Sequence, residues 1–160
     1  MAKKTVKLTG IDKVMKNLSQ EVSKIEGRTL GGLIRGSILV RRHMAHNSPK
    51  VPIDFGNLNA SWFTTTASGK GEESQPSFKG SNAGELASSH SAIMARAKSL
   101  AASTGYPVLY MGFTANYAFW VHENVGAKFS RPGSGAKFFE SALKTNKAAI
   151  LEEIRKNVKL

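Results

Sequence analysis

Pro52-Ile53-Asp54-Phe55-Gly56-Asn57-Leu58-Asn59-Ala60-Ser61 separates two kinds of chain. Before it, apolar residues recur every three or four positions; after it, they alternate. Upstream, Ile11, Val14, Met15, Leu18, Val22 and Ile25 form one helical stripe, and Leu30, Leu33, Ile34, Ile38 and Val40 or Met44 resume the pattern. Gly27, Gly31, Gly32 and Gly36 interrupt it, and each costs roughly 1 kcal/mol relative to alanine in a helix interior. Their number predicts either a break near Gly27, giving two helices or one kinked helix over residues 10–46, or close packing against another backbone. Pro49 and Pro52 forbid continuation beyond that.

Downstream, Leu58, Ala60 and Trp62 alternate with Asn59, Ser61 and Phe63, and Thr64, Thr65 and Thr66 add β-branched residues, so a strand is expected over 57–66. Residues 67–91 are rich in Ser, Gly, Lys and Glu, with Phe78 and Leu86 as the large apolar exceptions, and read as a long exposed loop. Ile93, Met94, Ala97 and Leu100 then fall at the spacing of a short helix. Pro107 to Phe113 resumes strand character, and the two strands should pair antiparallel across the long connection. Tyr117-Ala118-Phe119-Trp120-Val121-His122-Glu123 suits a helix capped by Thr114 and stopped by Gly126, with a strand as the alternative. Phe139, Leu143, Ile150, Ile154 and Val158 mark one face of a closing helix over 136–157. The expected class is α+β, one domain over 1–160: a long N-terminal helix, a small antiparallel sheet and a C-terminal amphipathic helix, preceded by a flexible basic arm at 1–9.

Composition narrows the function. An apolar content of 41% over 160 residues suits a single core. No apolar run approaches the ~18 residues needed to span a bilayer. The basic start Met1 to Lys7 is followed by no apolar signal core, so the chain reads as unexported. It has no cysteine, which excludes disulfides, thiolate nucleophiles and thiolate metal sites. Against 11 Asp+Glu stand 23 Lys+Arg, a net charge of +12, with an isoelectric point near 10.1. Lys3, Lys4, Lys7, Lys13 and Lys16 crowd one end of the sequence, and Lys144, Lys147, Arg155, Lys156 and Lys159 the other. Such a field attracts phosphates or acidic protein surfaces.

Catalytic chemistry finds little material. The two aspartates, Asp12 and Asp54, and nine scattered glutamates give no paired-carboxylate centre. His43 and His46 stand three apart on a helical segment with no third ligand nearby, and read as helix-end histidines. His122 beside Glu123 resembles a base with its orienting acid, yet adjacent side chains point in different directions on a helix or strand. Gly31-Gly32 and Gly133-Ser134-Gly135 lack the spacing of a phosphate-binding loop. Asp54 is read as a turn organiser that accepts backbone N–H bonds, with Gly56 supplying a positive φ. Catalytic residue, cofactor and metal are all expected to be none.

Three stretches carry a resemblance. Pro52 to Ser61 is similar to a Pro-Val-Asp-Thr-Gly-x-Leu-x-x-Ser signature of tailed-bacteriophage neck proteins, the head-tail joining or tail-completion family of minor structural proteins. Asn116 to Glu123 resembles that family's Tyr-Ala-x-x-Val-His/Glu element, and Lys137-Phe138-Phe139-Glu140-Ser141-Ala142-Leu143 its closing helix start. Phe55 stands where the family has threonine, and the insertion after Ala67 is longer than typical. The resemblance implies a non-enzymatic virion subunit, made in the host cytoplasm, that forms a homo-oligomeric ring, a hexamer or dodecamer. That ring would sit in the neck between a portal or head-completion protein and the tail terminator, with DNA passing through its lumen and no membrane partner. Pro52, Asp54, Gly56, Leu58 and Ser61 are then the structural motif. Tyr117, Phe119, Trp120, His122 and Glu123 are the candidate subunit interface. Lys3, Lys4, Lys7, Lys144, Lys147, Arg155 and Lys156 are the candidate contacts to DNA or an acidic partner. The competing class, a free basic nucleic-acid-binding protein, rests on charge alone.

Overall fold

One helix, α1, runs unbroken from Ile11 to His46, through all four glycines that argued for a break. The computed structural model describes residues 11–69, 71 and 76–159; the expected basic arm at 1–9, with Lys3, Lys4 and Lys7, lies outside the described residues. Two of the glycines answer to a second helix lying along α1. This helix (Phe138–Val158; α5 in chain order) runs antiparallel to α1, with Ile150 against Gly36, Ile154 against Gly32 and Asn157 beside Gly31. A Cβ at Gly32 would stand 2.7 Å from the Ile154 Cα, and one at Gly36 2.9 Å from the Ile150 Cγ2. Glycine therefore sets the distance between the helices, which is the close-packing alternative. At Gly27 a Cβ would meet nothing within 4 Å, so that glycine neither packs nor breaks the helix.

The turn after α1 corrects the expected strand over 57–66. Residues Asn57–Ala60 form a single helical turn, α2, and the strand β1 begins only at Trp62 and ends at Thr66. Gly56 adopts φ 89°, and its carbonyl accepts the Ala60 N–H at 2.9 Å, which starts the turn. The apolar alternation had a second reading: Leu58, Ser61 and Trp62 are the buried positions, spaced as one helical face.

β1 pairs antiparallel with β2 (Leu109–Phe113), Trp62 opposite Phe113 and Thr66 opposite Leu109. Between them the exposed loop expected over 67–91 gives way to α3 (Ala83–Ser103), which absorbs the short helix expected near Ile93. Leu86, His90, Ala97 and Ala101 are its buried positions, while Ile93 and Leu100 face outward. A stripe with Leu86 as its one large apolar residue carries almost no large-apolar periodicity, which is why the start of the helix reads as loop. Two further helices complete the order: α4 (Ala118–Glu123), which starts after Tyr117 rather than at Thr114 and ends before Gly126, and α5. The core lies where α1, the sheet, α4 and α5 meet, around Val40, Met44, Leu58, Trp62, Phe138 and Ala142. Its rings meet edge to face, Trp62 with Phe113 at 5.2 Å and Phe113 with Phe138 at 5.5 Å between centroids. The Arg41 guanidinium lies over Trp62 at 5.6 Å and donates to the Asn59 carbonyl at 3.0 Å.

His90 ties α3 to the end of β2 through a 2.8 Å hydrogen bond between its Nδ1 and the Thr114 hydroxyl. Burial pushes its pKa down, so folding favours the neutral ring. As pH falls through the ordinary histidine range, the unfolded chain takes up the proton first, and stability present at neutral pH declines. The melting temperature is expected to be lower at about pH 5.5 than at pH 7.5. A His90→Gln variant should lose that dependence; an unchanged slope would assign it to another group.

Candidate functional site

The first and second motif stretches, far apart in sequence, line one cleft of about 560 Å³. Pro52, Asp54, Phe55 and Asn57 form one wall, Asn116 and Tyr117 another, and Lys79 to Leu86 the third. The order in the first wall comes from Asn57 rather than Asp54. The Asn57 side-chain amide donates to the Lys79 carbonyl and its oxygen accepts the Lys79 N–H, both at 2.8 Å. Asp54 is exposed, and its carboxylate makes no hydrogen bond among the described residues, which corrects its reading as the turn organiser. Its charge acts instead on Tyr117, whose hydroxyl is pushed up in pKa by burial first and by Asp54 second. Pro52, Leu58 and Ser61 are buried, the Ser61 hydroxyl donating to the Leu58 carbonyl at 2.8 Å.

α4 divides the aromatic cluster into two faces. Tyr117, Ala118 and Val121 pack against the core. Phe119 and Trp120 point outward, 64% and 72% exposed, with their rings edge to face at 5.7 Å. Beside them a smaller groove of about 200 Å³ is walled by Phe119 and His122 and backed by Phe113, Phe138 and Phe139. An exposed aromatic pair next to an apolar groove is the composition of an interface centre. Of the five candidate interface residues, the structure thus turns Phe119 and Trp120 outward and leaves Tyr117, His122 and Glu123 half-buried.

His122 and Glu123 meet despite being adjacent: His122 Nδ1 lies 2.7 Å from Glu123 Oε1. The other ring nitrogen, Nε2, accepts the Glu140 backbone N–H at 3.3 Å, so Nδ1 carries the proton and donates to the carboxylate. Both nitrogens are occupied, Nε2 in bolting α4 to the first turn of α5 and Nδ1 in holding Glu123 within α4. Lys137 completes the clasp: its ammonium donates to Glu123 and lies 3.4 Å from Glu140, and its N–H donates to the His122 carbonyl at 2.8 Å. It holds a left-handed φ of 59° to do so. The Lys137 hydrogen bond, then that of His122, lowers the Glu123 pKa. A carboxylate with a depressed folded pKa stabilises the fold above the ordinary glutamate range, and that contribution is lost as pH falls through the folded value. Glu123→Gln should therefore flatten the acid limb of the pH–stability curve, read by thermal melts from pH 3 to 6, without altering stability differences between pH 7 and 8.

Lys144, Lys147, Arg155 and Lys156 are all exposed on α5. Lys144 pairs with Glu140 at 2.5 Å and Lys156 with Glu153 at 3.7 Å. Lys147 and Arg155 make no ion pair among the described residues, so they are the freer cations of the set. One structural residue gave no sequence signal. Arg131, in the glycine-punctuated loop, donates to the Val51 and Ala45 carbonyls at 3.2 and 3.0 Å, while Lys50 and Ser134 form a parallel bridge beside it. Its role depends on two carbonyls some eighty positions away, which no local pattern announces. Among the described residues, no group of three or more His, Asp or Glu could hold a metal ion, and no helix is long and apolar enough to cross a membrane. Compared with known proteins, the chain matches no family model, no curated protein and no solved structure.

Proposed function

We propose that this chain is a structural, non-enzymatic subunit of a tailed-phage neck, assembling as a ring between the head and the tail. The observation that carries the reading is the convergence of the three motif stretches. The Pro52 turn and the Tyr117 element line one cleft, and the Phe138 helix start is bolted to the back of the same α4. Stretches shared with a family through sequence gain weight when they build one end of the molecule, because a common assembly face needs them together. That end also carries the outward Phe119 and Trp120. A closed ring needs two different faces on each subunit that meet on rotation. The Phe119–Trp120 face with its groove supplies one of them, and the cleft rimmed by exposed Phe55 supplies a concave counterpart.

The exposed cations of α5 would face either acidic neighbours or DNA in the lumen. Quantitative mass spectrometry of purified particles tests the reading: the chain should be present at a fixed low copy number, a multiple of six, and its absence from particles would sink it. A free nucleic-acid-binding protein would instead shift DNA as an isolated chain, with affinity falling steeply as salt rises.

A further inference from the structure

Among the described residues, the N-terminal half of α1 projects beyond everything that packs on it. α5 ends at Val158, beside the Gly31 turn, and the loop at Gly105 and Tyr106 reaches only as far as Glu26. Residues 11–25 therefore extend for about 22 Å with no packing neighbour among the described residues. Ile11, Val14, Met15, Leu18, Val22 and Ile25 are 37–65% exposed there. Five of them, at 11, 15, 18, 22 and 25, follow alternating spacings of four and three, the repeat of a helix–helix seam. Carried forward at the same period, this face becomes Thr29, Gly32, Gly36 and Leu39, and α5 already covers it at Gly32 and Gly36. The exposed stripe is thus the continuation of an existing helix-packing seam, with no second helix on it among the described residues.

We infer that the second helix is the same segment of another copy of this chain, so that free subunits pair through α1. The flanking charges favour a protein helix over an anionic surface: Lys13, Lys16, Lys24 and Arg28 are interspersed with Asp12, Glu21 and Glu26, nearly balanced in a chain of net charge +12. Lys24 and Glu21 already pair at 2.6 Å. A seam this short is weak between peptides that must first become helical. Here α5 holds the rest of α1 helical, so that ordering cost is met before pairing. The inference stands apart from the neck reading, since pairing of like faces is two-fold and a ring contact is not.

Sedimentation equilibrium of the purified chain tests it. The wild type should approach twice its 17.2 kDa mass at about 0.1 mM. Leu18→Glu and, independently, Met15→Lys should return it to monomer, with far-ultraviolet circular dichroism and melting temperature unchanged. Gln20→Glu, on the back of the helix, should leave the dimer intact. A wild type that stays monomeric overturns the inference. So does an oligomer that survives Leu18→Glu, which would place the contact elsewhere, and so does a monomer whose stripe variants abolish binding to anionic vesicles.

Discussion

Gly32→Ala lowers the melting temperature by roughly 2–8 °C, whereas Gly27→Ala, five residues earlier in the same helix, raises it by about 2–4 °C. The opposite signs follow from what a single methyl meets. At Gly27 it meets nothing within 4 Å, so the variant gains only the helix propensity of alanine, about 1 kcal/mol. At Gly32 the new carbon sits 2.7 Å from the Ile154 Cα and 3.3 Å from the Glu153 carbonyl oxygen. Both are backbone atoms and cannot rotate away, so α5 must move. Overpacking of this kind costs about 1–3 kcal/mol or more and outweighs the propensity gain. Thermal melts of the two variants side by side decide it. Equal shifts would mean that α1 and α5 do not approach as closely as their glycines require.

Under the proposed neck reading, Phe119→Ala combined with Trp120→Ala leaves the fold intact and removes the chain from assembled particles. Neither ring stabilises the core, since both are mostly exposed and touch chiefly each other. Aromatic residues at the centre of an interface each contribute about 2 kcal/mol or more to binding. Losing both weakens association by about a thousandfold, because roughly 1.4 kcal/mol corresponds to tenfold. The measurement is copy number per particle by mass spectrometry, with the melting temperature of the free subunit as the control. An unchanged copy number at unchanged stability would remove α4 from the interface and leave the cleft as the face to examine.

The long apolar stripes of α1 and α5 made both helices legible, because large side chains at helical spacing are hard to produce by accident. The antiparallel strand pair was legible too, through the threonines of β1 and the apolar run at Leu109 to Phe113. The end of α3 was legible at Ile93 to Leu100, but its first part was hidden because its buried face is Leu86, His90, Ala97 and Ala101. Close packing on a sheet selected small residues there, which removed the signal that sequence reading depends on. α2 was misread because one helical turn and two steps of alternation bury overlapping positions. At the site, the helical reading of the aromatic cluster held over Ala118 to Glu123, but which of its residues face outward depends on the orientation of α4, set by His122, Lys137 and Glu140. The assignment of order to Asp54 failed because the partner of the turn, Lys79, belongs to the segment between β1 and α3 and bonds Asn57.

Gly32 meets Ile154 across roughly 120 intervening positions, and the two strands meet across about fifty. During synthesis the whole of α1 is made long before the helix that covers it exists. Until α5 emerges, both apolar stretches of α1, Ile11 to Ile25 and Leu30 to Met44, are open to chaperones and to other nascent copies. Folding then converts part of this surface into interior and leaves the other part uncovered among the described residues, so the completed chain retains part of the adhesive surface of its unfinished state.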